Sequence, residues 1–296
     1  LFRSNLSISL LNFEFKAINS GNIIDLSFLK DFHPKSILYV WFPGSLAGNA
    51  IGAILSGSDS PSGKMPVTVA TSYNDYITSK NFGNKEKTHY YEDIFVGYRY
   101  FLTFAKDKIL YPFGYGCSYT NFSIKVKDAK YINNKILISV ICKNIGIRCG
   151  KDVIQIYVSS PVNKLSKASK VLVAFKKTKL LKPLDEEILE FSIDEYLYSS
   201  YDDTGITGYK SSYVLENGSY QVLLGEDSLN TIEVLKFSID KTKVIKKCNE
   251  ICKPNEKLNV LSNSQYEKLN DNDYDLRKRI LDNLPKEIPY TGDLGI

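Results

Sequence analysis

Apolar residues along this chain follow two different rhythms. Up to residue 118, short apolar runs alternate with helix-like stretches. NFEFKAIN (12–19) alternates as a strand does. SILYVWF (36–42) is continuously apolar, as expected of a strand buried on both faces of a parallel sheet. Between them, DLSFLKDF (25–32) predicts a short helix with Asp25 near its start, broken at His33–Pro34. PGSLAGNAIGAILSG (43–57) predicts a glycine-rich turn entering a helix. Its small residues, Ala47, Gly48, Ala50, Gly52 and Ala53, would let that helix lie close to a sheet. SDSPSGKMPVTV (58–69) predicts a turn and then a strand. Strand, helix, strand, helix, strand is the order of an α/β unit.

After Tyr119 the period becomes two. FSIKVKDAKYI, KILISVICKNIG, DVIQIYVSSP, KVLVAFKKTKL, EEILEFSID, SYVLENGSYQVLLGE and IEVLKFSID are seven short alternating runs. Turn signals at Asn133–Asn134, Gly146, Gly150 and Glu216–Gly218 separate most of them. That grammar predicts an all-β sandwich. SYVLENGSYQVLL reads as a hairpin with Asn217–Gly218 at its tip.

Where the rhythms meet stands ILYPFGYGCSYT (109–120), aromatic, glycine-punctuated and interrupted by Pro112. Glycine and proline weaken both helix and strand, so the run predicts a rigid corner. Phe113 and Tyr115 are expected to be buried there, where two units meet at 111–121. Residues 241–296 are polar and rich in Lys, Asn and Asp. A helix is expected around 265–283, then extended chain in PKEIPYTGDLGI, with no core of its own. The fold class is therefore α/β plus all-β. Its parts are a partial α/β sandwich domain at 1–118, a β-sandwich at 119–240, and a linker at 241–296.

Composition narrows the class. With 296 residues, 43% hydrophobic and 24% charged, the chain can build two ordinary cores and is not disordered. The 21 tyrosines suit strand packing, and also suit sugar or protein binding. A net charge of +5 is spread out, and KTKVIKK (241–247) is its densest run. No basic stripe interleaved with aromatics marks a nucleic-acid groove. No 18-residue apolar run predicts a membrane span, and no signal peptide stands at the start. Five cysteines, with His33 and His89 far off, do not make a zinc pattern. Reduced thiols in a cytoplasmic protein are the expectation. Asn5, Asn121 and Asn217 fit a glycosylation pattern that has no meaning in that compartment. SDSPSGK lacks the spacing of a phosphate loop. A chain that opens on Leu1 and stops at GDLGI is expected to be a fragment.

Five ordered segments resemble glycoside hydrolase family 3, the β-glucosidase and β-xylosidase group. They are WFPGSLAGNAIGAILSGSDSPSGKMPVTV (41–69), YYEDIFVGYRYF (90–101), YPFGYGCSYT (111–120), KNIGIRCGKDVIQIYV (143–158) and SYVLENGSYQVLLG (212–225). The resemblance covers roughly residues 20–235. It implies the later part of the family's α/β sandwich domain followed by a fibronectin type III-like domain. SYDDTGITGYKSSYVLENGSY (200–220) and the tail resemble the subgroup whose barrel comes last, so the tail would lead into a barrel this chain lacks. Ser45, Leu46 and Ala47 stand where the family has a Gln and an acidic or small residue. Cys117 stands where it has Leu.

What the resemblance implies for chemistry is a retaining, exo-acting hydrolysis of β-glucosides or β-xylosides, with no metal or organic cofactor. Such enzymes use two carboxyl groups about 5–5.5 Å apart, one a nucleophile and one an acid/base. The family's nucleophile lies on the barrel and its acid/base upstream of Ile37–Gly44, so no residue here inherits a catalytic role. Glu14, the only Glu upstream, sits in an apparent strand and reads better as a strand-edge residue. Two residues are candidates for substrate binding. Trp41 could offer its ring to a sugar face, or pack a seam. Glu92 could face the sugar, or pair with Arg99 or backbone N–H groups to shape its loop. The expectation is a piece of a β-glucosidase that is inactive alone. The alternative is a non-catalytic truncated module with an interaction role. A sugar-binding sandwich is a third reading, resting on tyrosine content.

Overall fold

The computed structural model describes residues 7–10, 13–30, 34–80, 88, 90–251 and 260–265. The first part holds a three-stranded sheet in the order β1 (Ser7–Leu10), β2 (Phe13–Ile18), β3 (Ser36–Tyr39). β1 pairs antiparallel with β2, and β2 pairs parallel with β3. The helix expected at 25–32 is a single 3-10 turn, Ser27–Lys30. Asp25 Oδ1 accepts from Ser27 N at 2.7 Å at its entry.

Two expectations about this part change. β3 is not buried on both faces: it ends at Tyr39, its residues are half-buried, and Phe42 is 77% exposed. Among the described residues it is an edge strand with β2 as its neighbour. The helix that follows it has no buried residue and does not cover its face as helices cover a central parallel strand. The expected helix exists as α1 (Ala47–Ser56), closed by Gly57 in the left-handed conformation at φ 74°. It does not lie close to the sheet. No residue of α1 is buried, and a Cβ added at Gly48 or Gly52 would meet nothing within 4 Å.

β4 (Val69–Ala70) pairs antiparallel with β5 (Ile109–Tyr111), and α2 (Tyr98–Phe104) runs between them in sequence. Ile18, Leu26, Leu29, Val69 and Leu110 form one small core, and Phe95, Phe101, Leu102 and Ile109 anchor another.

The second part is the β-sandwich. One sheet has the order β10 (Glu186–Asp194), β7 (Lys135–Asn144), β6 (Phe122–Ile132). The facing sheet has the order β14 (Thr231–Ile239), β13 (Gly218–Gly225), β8 (Val153–Ser159), β9 (Val171–Lys177). Alternate residues point inward, as period two requires. Ile136, Ile138 and Val140 face Ile154, Ile156 and Val158, all essentially buried. Each such side chain contributes about 1.5–3 kcal/mol on burial.

The expected Asn217–Gly218 hairpin is not one. β12 (Ser212–Leu215) pairs with β11 (Ser200–Asp202) and β15 (Lys243–Lys247), while β13 pairs with β14 and β8. The chain therefore changes sheets between Leu215 and Gly218. Gly218 allows the turn at φ 134°, and a Cβ there would press on Pro161 at 2.9 Å. The polar block also differs from expectation. Beyond residue 240 it supplies β15, and Leu261 packs against the Phe95–Phe101 core. The helix expected at 265–283 and the tail lie outside the described residues.

Candidate functional site

The corner at 109–120 joins the two parts through its backbone more than through its rings. Gly114 is buried and held at φ 84°, so its peptide faces the sandwich. Gln155 Nε2 donates to Gly114 O at 3.1 Å and to Glu226 O at 2.8 Å, and Gln155 Oε1 accepts from the Tyr157 hydroxyl at 2.7 Å. Ser228 N donates to Phe113 O at 2.8 Å. Phe113 is half-buried, and Tyr115 is 36% exposed rather than buried. The turn at Gly114 sends the Tyr115 ring outward against Tyr111, 5.6 Å away. Its hydroxyl meets Cys117 Sγ at 3.2 Å. Burial pushes the Tyr111 phenol up to about 12.

Sequence reading passed over the residues that make this joint. β8 is buried on both faces because Ile154, Ile156 and Val158 enter the sandwich core while Gln155 and Tyr157 face the corner. The available signal was a glutamine inside an otherwise apolar strand. Tyr98 of α2 completes the joint. Its ring stacks on Phe113 at 4.7 Å, meets Tyr157 edge-on at 6.3 Å, and its hydroxyl accepts from Leu172 N at 2.9 Å. Lys64 adds an ion pair with Asp152 at 3.0 Å, and Arg148 donates to Gly57 O at 2.7 Å.

Trp41 follows β3 with φ 58°, a left-handed backbone that bulky side chains rarely adopt. Its half-buried ring lies 4.4 Å from Tyr39. The turn beyond it, through Gly44 at φ 77° and into α1, is exposed, and Leu46 caps the helix with no side-chain bond.

Glu92 sits in the turn that leads through Gly97, at φ 58°, into α2. It is 8% exposed, its carbonyl accepts from Phe95 N at 2.9 Å, and its Oε2 is buried with no hydrogen-bond partner. The pairing expected with Arg99 or with backbone N–H groups is not made. Arg99 instead lies 5.8 Å over the Tyr98 ring, and its Nε is also buried without a partner. Asp93 beside it holds φ 50°. Burial raises its carboxyl pKa, and the charges of Asp203 and Glu92 add to the effect. No hydrogen bond, ion pair or ring contact among the described residues joins Trp41 to Glu92. The backbone of Glu14 lies in β2 opposite Ser9, and its side chain is outside the described residues.

Among the described residues, no group of three His, Cys, Asp or Glu converges to hold a metal, and no helix is long and apolar enough to cross a membrane. Cys117, Cys142, Cys149 and Cys248 are free thiols. Burial pushes that of Cys142 up to about 12.

Residues 16–119 match the Glycosyl hydrolase family 3 C-terminal domain, and residues 152–228 match the Fibronectin type III-like domain. The chain belongs to glycoside hydrolase family 3. It is similar to a beta-glucosidase of Ruminococcus albus, 42% identical over 283 residues, covering 94% of this chain and 30% of that protein. It is also similar to Beta-glucosidase A of Butyrivibrio fibrisolvens, 36% identical, covering 77% of this chain and 30% of the relative. The chain thus spans 30% of the length of both. Among solved structures, a beta-glucosidase from Paenibacillus barengoltzii superposes with a TM-score of 0.79 at 39% identity, covering 82% of this chain and 28% of that one. Beta-glucosidase 3B from Thermotoga neapolitana, solved with alpha-D-glucose, superposes with a TM-score of 0.70 at 31% identity, covering 78% and 32%.

Proposed function

We propose that this chain is part of a retaining, exo-acting β-glucosidase that hydrolyses O-glycosyl bonds at the non-reducing ends of β-glucosides, with β-xylosides as the neighbouring substrate class. The observation that carries this reading is the succession of the two family domains in one chain, with 42% identity to a β-glucosidase across nearly all of it. Residues 1–118 are the later portion of the α/β sandwich domain. Residues 119–240 are the fibronectin-like domain, with β15 added at its edge, and the polar tail leads into a barrel domain. The double displacement needs a nucleophile and an acid/base about 5–5.5 Å apart. Both come from the remainder of the complete enzyme, so the isolated chain is inactive.

Trp41 and Glu92 are this chain's contribution to substrate binding. The Trp41 ring offers an apolar face to a pyranose, and its left-handed backbone is the kind of local strain that functional sites retain. Glu92 offers an acceptor oxygen that no protein group uses, suited to a sugar hydroxyl. The free thiols support a reducing, cytoplasmic compartment. No metal or cofactor enters the reaction class.

The test is hydrolysis of an aryl β-glucoside. Purified chain should give no turnover above background, and supplying the rest of the enzyme should restore it. Turnover by the chain alone that disappears on Glu92→Gln would overturn the reading.

A further inference from the structure

The β11–β12–β15 sheet carries a row of aromatic rings on the face shared by Tyr201 and Tyr213. The register places Tyr201 opposite Tyr213, and Tyr213 opposite Lys246. Directly paired residues project from the same face of a sheet, so these three form one cross-strand line. Tyr196, from the 3-10 turn Glu195–Tyr198, leans onto it. Its ring is 4.8 Å from that of Tyr213 at 63°, and Lys246 Nζ stands 5.6 Å from its centre. The Tyr201 ring is 5.2 Å from Tyr213 at 56°. Tyr196 and Tyr201 are 43% and 39% exposed, and Tyr213 between them is half-buried. The result is a run of three rings in which Tyr213, between the other two, is the least exposed.

None of the three belongs to the sandwich core, which takes Tyr198 and Tyr220 from the same stretch of chain. On the opposite face of this sheet Ser212, Val214 and Asp202 are buried, while Leu215, two residues on from Tyr213, joins the sandwich core. These rings pack on one another rather than in the sandwich core. Their mutual contacts hold them in place, so a ligand would lose little entropy ordering them.

The chemistry of the row selects an occupant. Ring faces supply apolar contact, phenol hydroxyls supply donors and acceptors, and a single ammonium lies at one end. The acids beside the row are held elsewhere: Glu195 by Lys243 at 2.6 Å, Asp202 by the Gly205 and Thr207 amides, and Glu250 by Lys210 at 3.1 Å and Ser211 Oγ at 3.0 Å. Lys247 pairs with Ser212, one position along, and so points to the other face. A row with one net charge complements a neutral ligand having apolar faces and hydroxyl edges, and not a polyanion. We infer that Tyr196, Tyr201, Tyr213 and Lys246 form a saccharide-binding surface on the fibronectin-like domain, taking a neutral β-linked glucan chain. The inference rests on the glycosidase reading in its choice of sugar.

Affinity electrophoresis of the full 296-residue chain through native gels containing soluble mixed-linkage β-glucan tests it. The chain should be retarded. Tyr196→Ala combined with Tyr201→Ala should weaken the apparent affinity about tenfold or more, as loss of anchoring tyrosines does. Circular dichroism should stay native, because both rings lie outside the core. Absence of retardation, or equal retardation of the folded double variant, overturns the inference. So does self-association in sedimentation that the double variant abolishes while neither form binds glucan, since that assigns the row to a second copy of the chain. The two readings fail separately. A chain that binds glucan through these rings, within a reassembled enzyme that leaves an aryl glucoside intact, sinks only the glycosidase reading. An active enzyme whose row binds no glucan sinks only this one.

Discussion

Gln155 and Gly114 fit each other across the seam so closely that neither tolerates a change in the other. The glutamine amide donates to the glycine carbonyl at 3.1 Å, and a Cβ at residue 114 would stand 2.1 Å from Gln155 Oε1. Gly114→Ala should therefore destabilise the chain by about 2–4 kcal/mol, combining a left-handed backbone with overpacking. Gln155→Leu should cost a similar amount by leaving the Glu226 carbonyl, the Gly114 carbonyl and the Tyr157 hydroxyl without their partner. Because both act on one contact, the double variant should lose clearly less than the sum of the singles. Urea unfolding of the four proteins measures this, and strict additivity would show that the seam does not depend on the contact.

The loop after β11 should make stability sensitive to acid. Asp202 is fully buried. Burial alone would raise its pKa, yet hydrogen bonds from the Thr207 hydroxyl and from the Thr207, Gly205 and Ile206 amides outweigh it and hold the carboxyl below its ordinary value. The unfolded value is about 3.9. A group whose folded pKa is depressed contributes stability that is complete above the unfolded pKa and is lost as pH falls through the folded one. Asp202→Asn should cost about 1.5–3 kcal/mol near neutrality, and the gap to the native chain should narrow below about pH 4. Urea midpoints across that range check it. A gap of constant size would show that the Asp202 charge does not matter.

Lys167 and Glu216 form an ion pair 5% and 2% exposed, and the Glu216 carboxylate also accepts from Lys164 N at 2.9 Å and Leu165 N at 3.3 Å. Burial lowers the Lys167 pKa, partly opposed by Glu216. Glu216→Ala should cost about 3–5 kcal/mol, because it strands a buried ammonium. Lys167→Met with Glu216→Leu should recover part of that loss, leaving the two loop amides as the residual cost. If the double variant is as unstable as Glu216→Ala, the amide contacts and not the ion pair hold the loop.

Strand positions were readable from the sequence because one face of each sandwich strand must be apolar. β6 and β10 coincide with FSIKVKDAKYI and EEILEFSID. Partners were less readable. SYVLENGSYQVLL has a hairpin's local chemistry, but sheet membership is decided by what each strand meets far away in sequence. α1 shows the same limit. Gly48 and Gly52 permit close packing, but permission is not contact, and a Cβ at either would meet nothing within 4 Å. At the candidate site, the motif around Glu92 was visible, while the joint of Gln155, Tyr157 and Tyr98 that anchors its helix was not. Tyr157 and Tyr98 read locally as ordinary strand and helix residues, and Gln155 stood out only as a polar residue in an apolar strand.

The isolated chain should reveal whether Glu92 serves the fold or a ligand. A buried oxygen without a partner carries a desolvation penalty of about 1–3 kcal/mol. If the fold used Glu92, some donor would repay that penalty. Its Oε2 has none, and Arg99, the partner the sequence suggested, lies over the Tyr98 ring instead. Glu92→Met keeps the length of the side chain and removes both oxygens. It should stabilise the chain by up to about 1–3 kcal/mol, the pattern expected when a site is kept at the expense of stability. Glu92→Gln keeps two polar atoms in the same place and should change little. Thermal unfolding of the three proteins reads the order Met above Glu, with Gln close to Glu. In the complete enzyme, the same Glu92→Met change should raise KM for an aryl β-glucoside, because a sugar hydroxyl loses its acceptor. A Met variant less stable than the native chain by more than about 1 kcal/mol would return Glu92 to a structural role and remove it from the substrate site.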